Sequence, residues 1–522
     1  VLSKIIDNHM FLVRFKSLIL KLDAKKLMVF SLIFLGLLTR FVFISHPNQT
    51  VFDEVHFGKF VSSYFTGKYY FDIHPPLGKM IIALGAGLGG YGDYVARHGV
   101  FDFEKIGESF GAVPYFWFRF FPALAGSLIP LAVFLFMLEF GAGRLASFLA
   151  GLLLVFENSL LVESRLVLTD AFLILFGFLG LYFFFRARNR NYPNKLLFWS
   201  GLFFAASFSV KWTGLGFFGA CGLIYLWDIL DFSLIKPGFF LPARRLAPAA
   251  NRGTVLSPQK VARGDTKLFG APRTGKNLGY LILGALALVI VPFAIYFAVF
   301  QIHFALLPAC PESGGGCEFM SQEFKNRGLN PWQSFLELNQ KMWVYNKGIS
   351  ESHEYGSKAL GWPLMIRPVY YWVLDSARIY LIGNPVIWFL GFFGIFAFLF
   401  LKISAEKKIL LWLLYLANLV PFILVSRVLF LYHYLLALIV SVMAFSLVVD
   451  EVFKEKKIFV WGAVLALAVF GFLFFAPLSY GFPLSETGFA RRQWSSFWFS
   501  GNSQLKEFCE KTNCSVLKWI VY

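Results

Sequence analysis

The sequence predicts an all-α polytopic membrane protein of about eleven transmembrane helices. Three observations predict it. First, 58% of the 522 residues are hydrophobic and only 15% are charged, against about 45–50% and about 25% in a soluble domain. Second, the apolar residues gather in runs long enough to cross a bilayer. Third, Lys and Arg fall between those runs on alternate sides, as orientation by positive charge requires.

The runs are 27–45, 114–139, 143–161, 166–186, 196–210, 214–231, 278–301, 377–402, 408–426, 429–449 and 457–476. Residues 1–26 are mixed and basic and do not read as a cleavable signal peptide, so they form a cytoplasmic segment. With that segment inside, the inner loops are Gly141–Arg144, Arg186–Lys195, Asp231–Lys276, Lys402–Lys408 and Glu451–Lys457, and each carries basic residues. The net charge of +18 is then topological. It does not point to nucleic acid, and no zinc-finger spacing, P-loop or dinucleotide fingerprint accompanies it.

The organisation that follows is an N-terminal transmembrane module over 27–303 with a large external loop at 46–113, a second external loop at 304–376, a four-helix module at 377–476 and an external tail at 477–522. Phe101–Phe110 (FDFEKIGESF) reads as a short helix at the membrane interface. The cysteines agree with this topology. Cys310 and Cys317 lie in one external segment and Cys509 and Cys514 in another, so both close pairs read as disulfides on the oxidising side. Metal binding by either pair is disfavoured because no His cluster lies nearby.

Chemistry-bearing residues concentrate in the first external loop, in VFDEVHFGKF (51–60) and YYFDIHPPLGKM (69–80). Asp53 and Glu54 are adjacent acids among apolar and aromatic neighbours. A carboxylate there is costly unless paired or used. His56, Asp72, His74 and Lys79 join them in the same loop, and Pro75-Pro76 stiffens it. The outer ends of other runs add Arg119, Glu163, Arg165, Asp170, Lys211, Arg427 and His433. One such side chain alone is an ordinary snorkelling residue. Several at one membrane level suit a lipid phosphate, which Arg and Lys hold through charge-assisted hydrogen bonds. They would also stabilise it as a leaving group, opposite a carboxylate able to deprotonate a hydroxyl.

At these residues the chain resembles the protein O-mannosyltransferases, a branch of the GT-C membrane glycosyltransferases. The matching segments are FDEVHFGKF, YYFDIHPPLGKM, the Arg119/Pro122 segment, KWTG, IHFALL (302–307), SKALGWPLMIRPVYY (357–371), IYLIGNPVIWFLG (379–391) and RVLFLYHYLLAL (427–438). The resemblance implies a GT-C fold whose external loops carry short helices. It implies inverting transfer of mannose from a polyprenyl- or dolichyl-phosphate-mannose donor to Ser or Thr hydroxyls of exported polypeptides. It makes Asp53 the catalytic base and gives Glu54 a part in orienting the acceptor or the acidic pair. Arg119 would contact the donor phosphate, with Arg165, Lys211, Arg427 and His433 assisting, while His56, Asp72, His74 and Lys79 support the first loop. No cofactor is called for beyond the donor, although the His-containing loop keeps a divalent metal open. Segment 304–376 is too short for the β-trefoil domain of eukaryotic members, which makes this the prokaryotic form, in the cell membrane with its site and C-terminus outside. Family members often pair, so a dimer or an association with the translocon is compatible with the chain, which shows no interface signature. The competing readings are another GT-C enzyme, acting on lipid or glycan with a lipid-linked pentose, and a transporter or flippase. Repeats and midplane polar residues would mark the latter, whereas here the charges gather at one face.

Overall fold

Every predicted apolar run contains helix. In the computed structural model, residues 23–230, 277–310, 316–348, 353–425, 427–495 and 498–499 are described. Cys509, Cys514, the basic loop at 231–276 and most of the N-terminal segment lie outside the described residues. Tyr115–Glu139, Asp170–Arg188, Ile282–Leu306, Leu431–Val452 and Lys457–Tyr480 are long and apolar enough to cross a membrane. Arg144–Val155 and Asn158–Arg165 together form a sixth candidate, bent by 59°. Ala24–Phe41, Asn194–Phe208, Leu215–Leu230, Pro385–Ala397 and Ala405–Ala417 are further helices in the predicted runs.

The bend shows how backbone is satisfied where water is scarce. A broken helix exposes carbonyls that cost several kcal/mol each in hydrocarbon. Arg40, at the end of the first helix, donates to Leu154 O (2.9 Å) and Val155 O (2.7 Å), where the first half of the bent pair stops. The second half starts at Glu157, whose carboxylate accepts from Leu160 N at 2.6 Å and Ser159 Oγ at 2.7 Å. Glu157 also accepts from Asn384 N at 2.9 Å. At the far end of that half, Arg165 donates to Phe43 O just beyond the first helix. The two arginines thus tie the first helix and the bent pair together, each reaching backbone carbonyls of the other.

Two expectations are corrected here. The fold is mostly helical rather than all-α. Val369–Leu374 (β1) and Ala377–Leu381 (β2) form an antiparallel hairpin, so the run predicted as a span from 377 opens with a strand. The sequence VYYWVL–DS–ARIYL is aromatic and β-branched, which favours cross-strand pairing. Apolar continuity into Ile382 hides the boundary, and the helix starts only at Asn384-Pro385, where Asn384 accepts from Val386 N at 3.1 Å. Phe101–Phe110 is not a helix but an irregular segment. Phe103 and Gly107 take positive φ (49° and 85°), Ser109 bridges Gln49, and Phe103 and Phe110 are buried.

That segment packs on the helix Glu54–Thr66 through Gly58, where an added Cβ would lie 2.2 Å from the Phe103 ring. Gly58→Ala is therefore expected to cost about 1–3 kcal/mol, read as a lower thermal midpoint of the purified protein. An unchanged midpoint would show that the segment is free to move aside.

Candidate active site

Asp53 immediately precedes the helix Glu54–Thr66, and its side chain lines an open cavity of about 410 Å³ together with His56, Lys105, His353, Glu354 and Tyr370. Its backbone position is set by the preceding residue. Phe52 has φ 44°, a conformation that a bulky L-residue keeps only when its surroundings impose it. Tyr371 imposes it in three ways. Its carbonyl accepts from Phe52 N at 3.1 Å, its ring stacks on Phe52 with centroids 4.0 Å apart, and its hydroxyl donates to the buried Glu163. Tyr371 can do this because the β1–β2 register shifts between Tyr370 and Trp372, a bulge that turns the extra residue toward the first loop.

Glu54 and Arg119 are both fully buried. The Glu54 carboxylate receives Arg119 Nε and Nη2, each at 2.8 Å. It also receives Val51 N and Val167 N, each at 2.9 Å. Arg119 spends its remaining donors on Pro47 O (2.9 Å), Gln49 O (3.1 Å) and Ile44 O (3.2 Å). All five guanidinium N–H groups are thereby used. Arg119 has no donor left for a phosphate in this geometry, contrary to the sequence expectation, and the pair instead fastens the start of the first loop to the segment before Asp170. Arg165 is likewise buried against Phe43 O and the Tyr480 ring, 4.4 Å from its centroid. Its place is that tie to the first helix, not the cavity.

Lys211, Lys79, Arg427 and His433 do converge. Lys211 Nζ is 2.6 Å from Asp170 Oδ2 and 5.5 Å from the centre of the Tyr432 ring. Lys79 pairs with Asp72 and donates to His74 O at 2.8 Å. Arg427 Nη1 donates to Asn346 Oδ1 at 2.9 Å, and Asn346 Nδ2 in turn donates to Ile73 O at 2.7 Å, beside His74. His433 stacks on Trp362 with centroids 5.8 Å apart. Burial, with Lys211, Arg427, Lys79 and His433 around it, holds His74 well below the usual imidazole range, so it is neutral at pH 7. Asp53 is pushed up to about 6, chiefly by burial; His56 and Lys211 pull it down, while Asp170 and Asp72 raise it. A carboxylate at that value is still ionised at neutral pH and is a stronger base than an ordinary Asp.

Asp53, His56, Asp72, Asp170, Lys211, His74, Lys79, Arg427 and His433 thus share one electrostatic neighbourhood. Cys310 and Cys317 are joined in a disulfide in the chain that follows Leu306. Among the described residues, no group of three or more His, Cys, Asp or Glu could hold a metal ion. Sequence reasoning missed Tyr371 and Asn346 as site residues. Tyr371 is the last residue of SKALGWPLMIRPVYY, so a motif marked it without giving its role. Asn346 carries no local signal.

The family profile "Dolichyl-phosphate-mannose-protein mannosyltransferase" matches residues 30–308, and "C-terminal four TMM region of protein-O-mannosyltransferase" matches residues 331–498. Dolichyl-phosphate-mannose–protein mannosyltransferase 4 of Schizosaccharomyces pombe is 40% identical over 225 residues, which are 40% of this chain and 28% of that protein. Mannosyltransferase 1 of Saccharomyces cerevisiae is 24% identical, over 95% of this chain and 86% of its own length. The chain spans 38% or less of the length of the first four relatives it matches. A solved S. cerevisiae protein O-mannosyltransferase Pmt1-Pmt2 complex bound to the sugar donor has the same fold, with TM-score 0.77 at 21% identity over 93% of this chain and 95% of that one. With more than half its length matched by the family profile, this multi-span, mostly helical membrane protein with a GT-C-like fold belongs to the dolichyl-phosphate-mannose–protein mannosyltransferase family.

Proposed function

We propose that the protein transfers mannose from a polyprenyl- or dolichyl-phosphate-mannose donor to Ser or Thr hydroxyls of exported polypeptides, with inversion. The observation that carries this reading is Asp53, raised toward neutrality at the wall of an open cavity and facing the field of Lys211. The donor phosphate sits among Lys211, Arg427 and His433, and the acceptor lies in the cavity above Asp53. Asp53 takes the proton of the hydroxyl. The oxygen attacks the anomeric carbon opposite the phosphate. The bond from that carbon to the phosphate oxygen breaks, and its electron pair leaves on the lipid phosphate, where Lys211 and Arg427 stabilise it. Arg427 suits this role because only Nη1 has a partner among the described residues. Arg119, Glu54 and Arg165 are the frame.

The same reading has eleven spans, with the site and C-terminus outside the cell membrane. It takes the compact, prokaryotic form of the family. In support, the described part of 304–376 holds helices Gln322–Lys325 and Pro331–Gly348 and strand β1, and the 707-residue alignment with the S. cerevisiae relative means that relative carries a long stretch without counterpart here. Transfer needs no metal, since Lys and Arg neutralise the leaving phosphate. Activity abolished by a chelator and restored by a divalent cation would remove that clause.

The test is transfer of labelled mannose from a lipid-phosphate donor to a Ser/Thr-rich peptide by protein in nanodiscs. Donor binding without transfer would point to a different sugar or acceptor, and absence of donor binding would return the transporter reading. The pH profile is a second check. A base is inactive when protonated, so kcat/KM should fall about tenfold per unit below pH 6 and level off above it. His56→Ala removes a group that holds Asp53 down, and should move that limb upward. A limb near pH 4 would show that Asp53 is solvated and is not the tuned base.

A further inference from the structure

The helix Pro331–Gly348 turns one stripe away from the protein: Trp332, Leu336, Gln340, Trp343 and Lys347, flanked by Val344. Trp332 is 46% exposed and Trp343 54%. Large apolar side chains grouped this way in the open mark a contact surface. The helix is not loosely attached. Phe335, Leu338 and Met342 are buried on its inner face, Asn339 Oδ1 accepts from Tyr296 at 2.6 Å, and Asn346 holds Ile73 and Arg427.

Its depth can be read from the spanning helix beside it. The Trp332 ring lies 6.0 Å from Phe293 and 5.8 Å from Phe297, and Phe293 is itself exposed on a span. The exposed surface of the span therefore runs without a break onto the outer stripe. The span runs from Ile282 to Leu306, so Phe293 and Phe297 place Trp332 beside its middle and outer part, and the stripe leads from there toward the external end of the span. At the other end of the stripe, Trp343 lies 6.2 Å from Trp212, just past the end of the apolar helix Asn194–Phe208. Trp is the residue of the membrane–water boundary. Lys347 extends over Trp343 with Nζ 4.4 Å from the ring centre, an apolar stem with its charge turned toward water.

We propose that this outer stripe is seated in the headgroup boundary of the lipid bilayer, and that Asn346, on the inner face of the same helix, sets the height of Arg427 above the membrane. The second clause rests on the proposed function, since a lipid-linked donor carries its phosphate at that level; the first does not. Asn346 is a positioning residue, acting through Arg427.

The test places a nitroxide at position 336 (Leu336→Cys, with Cys221, Cys509 and Cys514 replaced by Ser) in phosphatidylcholine nanodiscs and compares collision rates with oxygen and with a water-soluble nickel complex. Oxygen collisions exceeding nickel collisions by several-fold is the expected result. Nickel-dominated collisions would overturn the proposal, as would protection from both, which would mean a second copy or another protein covers the stripe. For the link to Arg427, Asn346→Ala should raise the donor KM at least fivefold and leave the peptide KM unchanged. Equal changes in both would reduce Asn346 to a structural residue, and the spectroscopic result would stand whatever the transfer assay gave.

Discussion

Asp53→Asn is expected to lower mannose transfer by about 10²–10⁴-fold, the range a positioned general base supplies, while the lipid donor still binds. The substitution is nearly isosteric, and the frame around it does not depend on the Asp53 carboxylate. Phe52 is held by Tyr371, and Glu54 by Arg119, Val51 and Val167. Retained donor binding follows because Lys211, Arg427 and His433 stay in place. The amide removes one negative charge beside Lys211, so the donor anion should bind as well as before or slightly better. Equal transfer by both proteins would remove Asp53 from the chemistry. Loss of transfer together with loss of donor binding would show instead that the first loop had collapsed. Asp53→Glu supplies a third point: the base moves by about one methylene, and partial activity with the same acid limb would show that protonation state, not shape, governs the rate.

Membrane-spanning architecture was legible because its signals are local and additive: run length, and the side on which Lys and Arg fall. The clustering at the candidate site was legible for the same reason, since Asp53, His56, Asp72, His74 and Lys79 lie within one loop. Long-range geometry was not. Arg119 and Arg165 look alike in sequence, as arginines near helix ends beside aromatic residues. What distinguishes Arg119 from Arg427 is how many of its donors are taken by groups far away in the chain, and what distinguishes Arg165 is its burial against Phe43 O and the Tyr480 ring. Arg119 takes three of its acceptors from Ile44, Pro47 and Gln49, a demand created only when the loop turns there. The hairpin was hidden because ARIYL is apolar enough to extend the following span, and hydropathy does not distinguish a buried strand from a helical turn. The role of Tyr371 depends on a bulge, which a one-residue register shift creates and no composition announces.

Removing either member of the Glu54–Arg119 pair is expected to be the most destabilising single change at the site, at about 3–5 kcal/mol. Both groups are fully buried, so neither can recover water when its partner is lost. Arg119→Met strips donors from three backbone carbonyls as well as from the carboxylate, and Glu54→Leu leaves a guanidinium with no counter-charge. The double variant should cost clearly less than the two singles added together, because the second substitution removes the charge that the first one stranded. Thermal unfolding of purified protein reads all three, and Glu54→Gln separates the two roles open to Glu54. If Glu54 is a frame residue, the amide keeps the shape but loses the charge, so the unfolding midpoint falls, and transfer measured well below that midpoint falls much less than in Asp53→Asn. If Glu54 binds the acceptor, the same substitution would leave the midpoint nearly unchanged and raise the peptide KM. The four hydrogen bonds that Glu54 already accepts favour the first outcome. They fill the lone-pair directions of both carboxylate oxygens, and an acceptor hydroxyl would have to displace one of them to be held there.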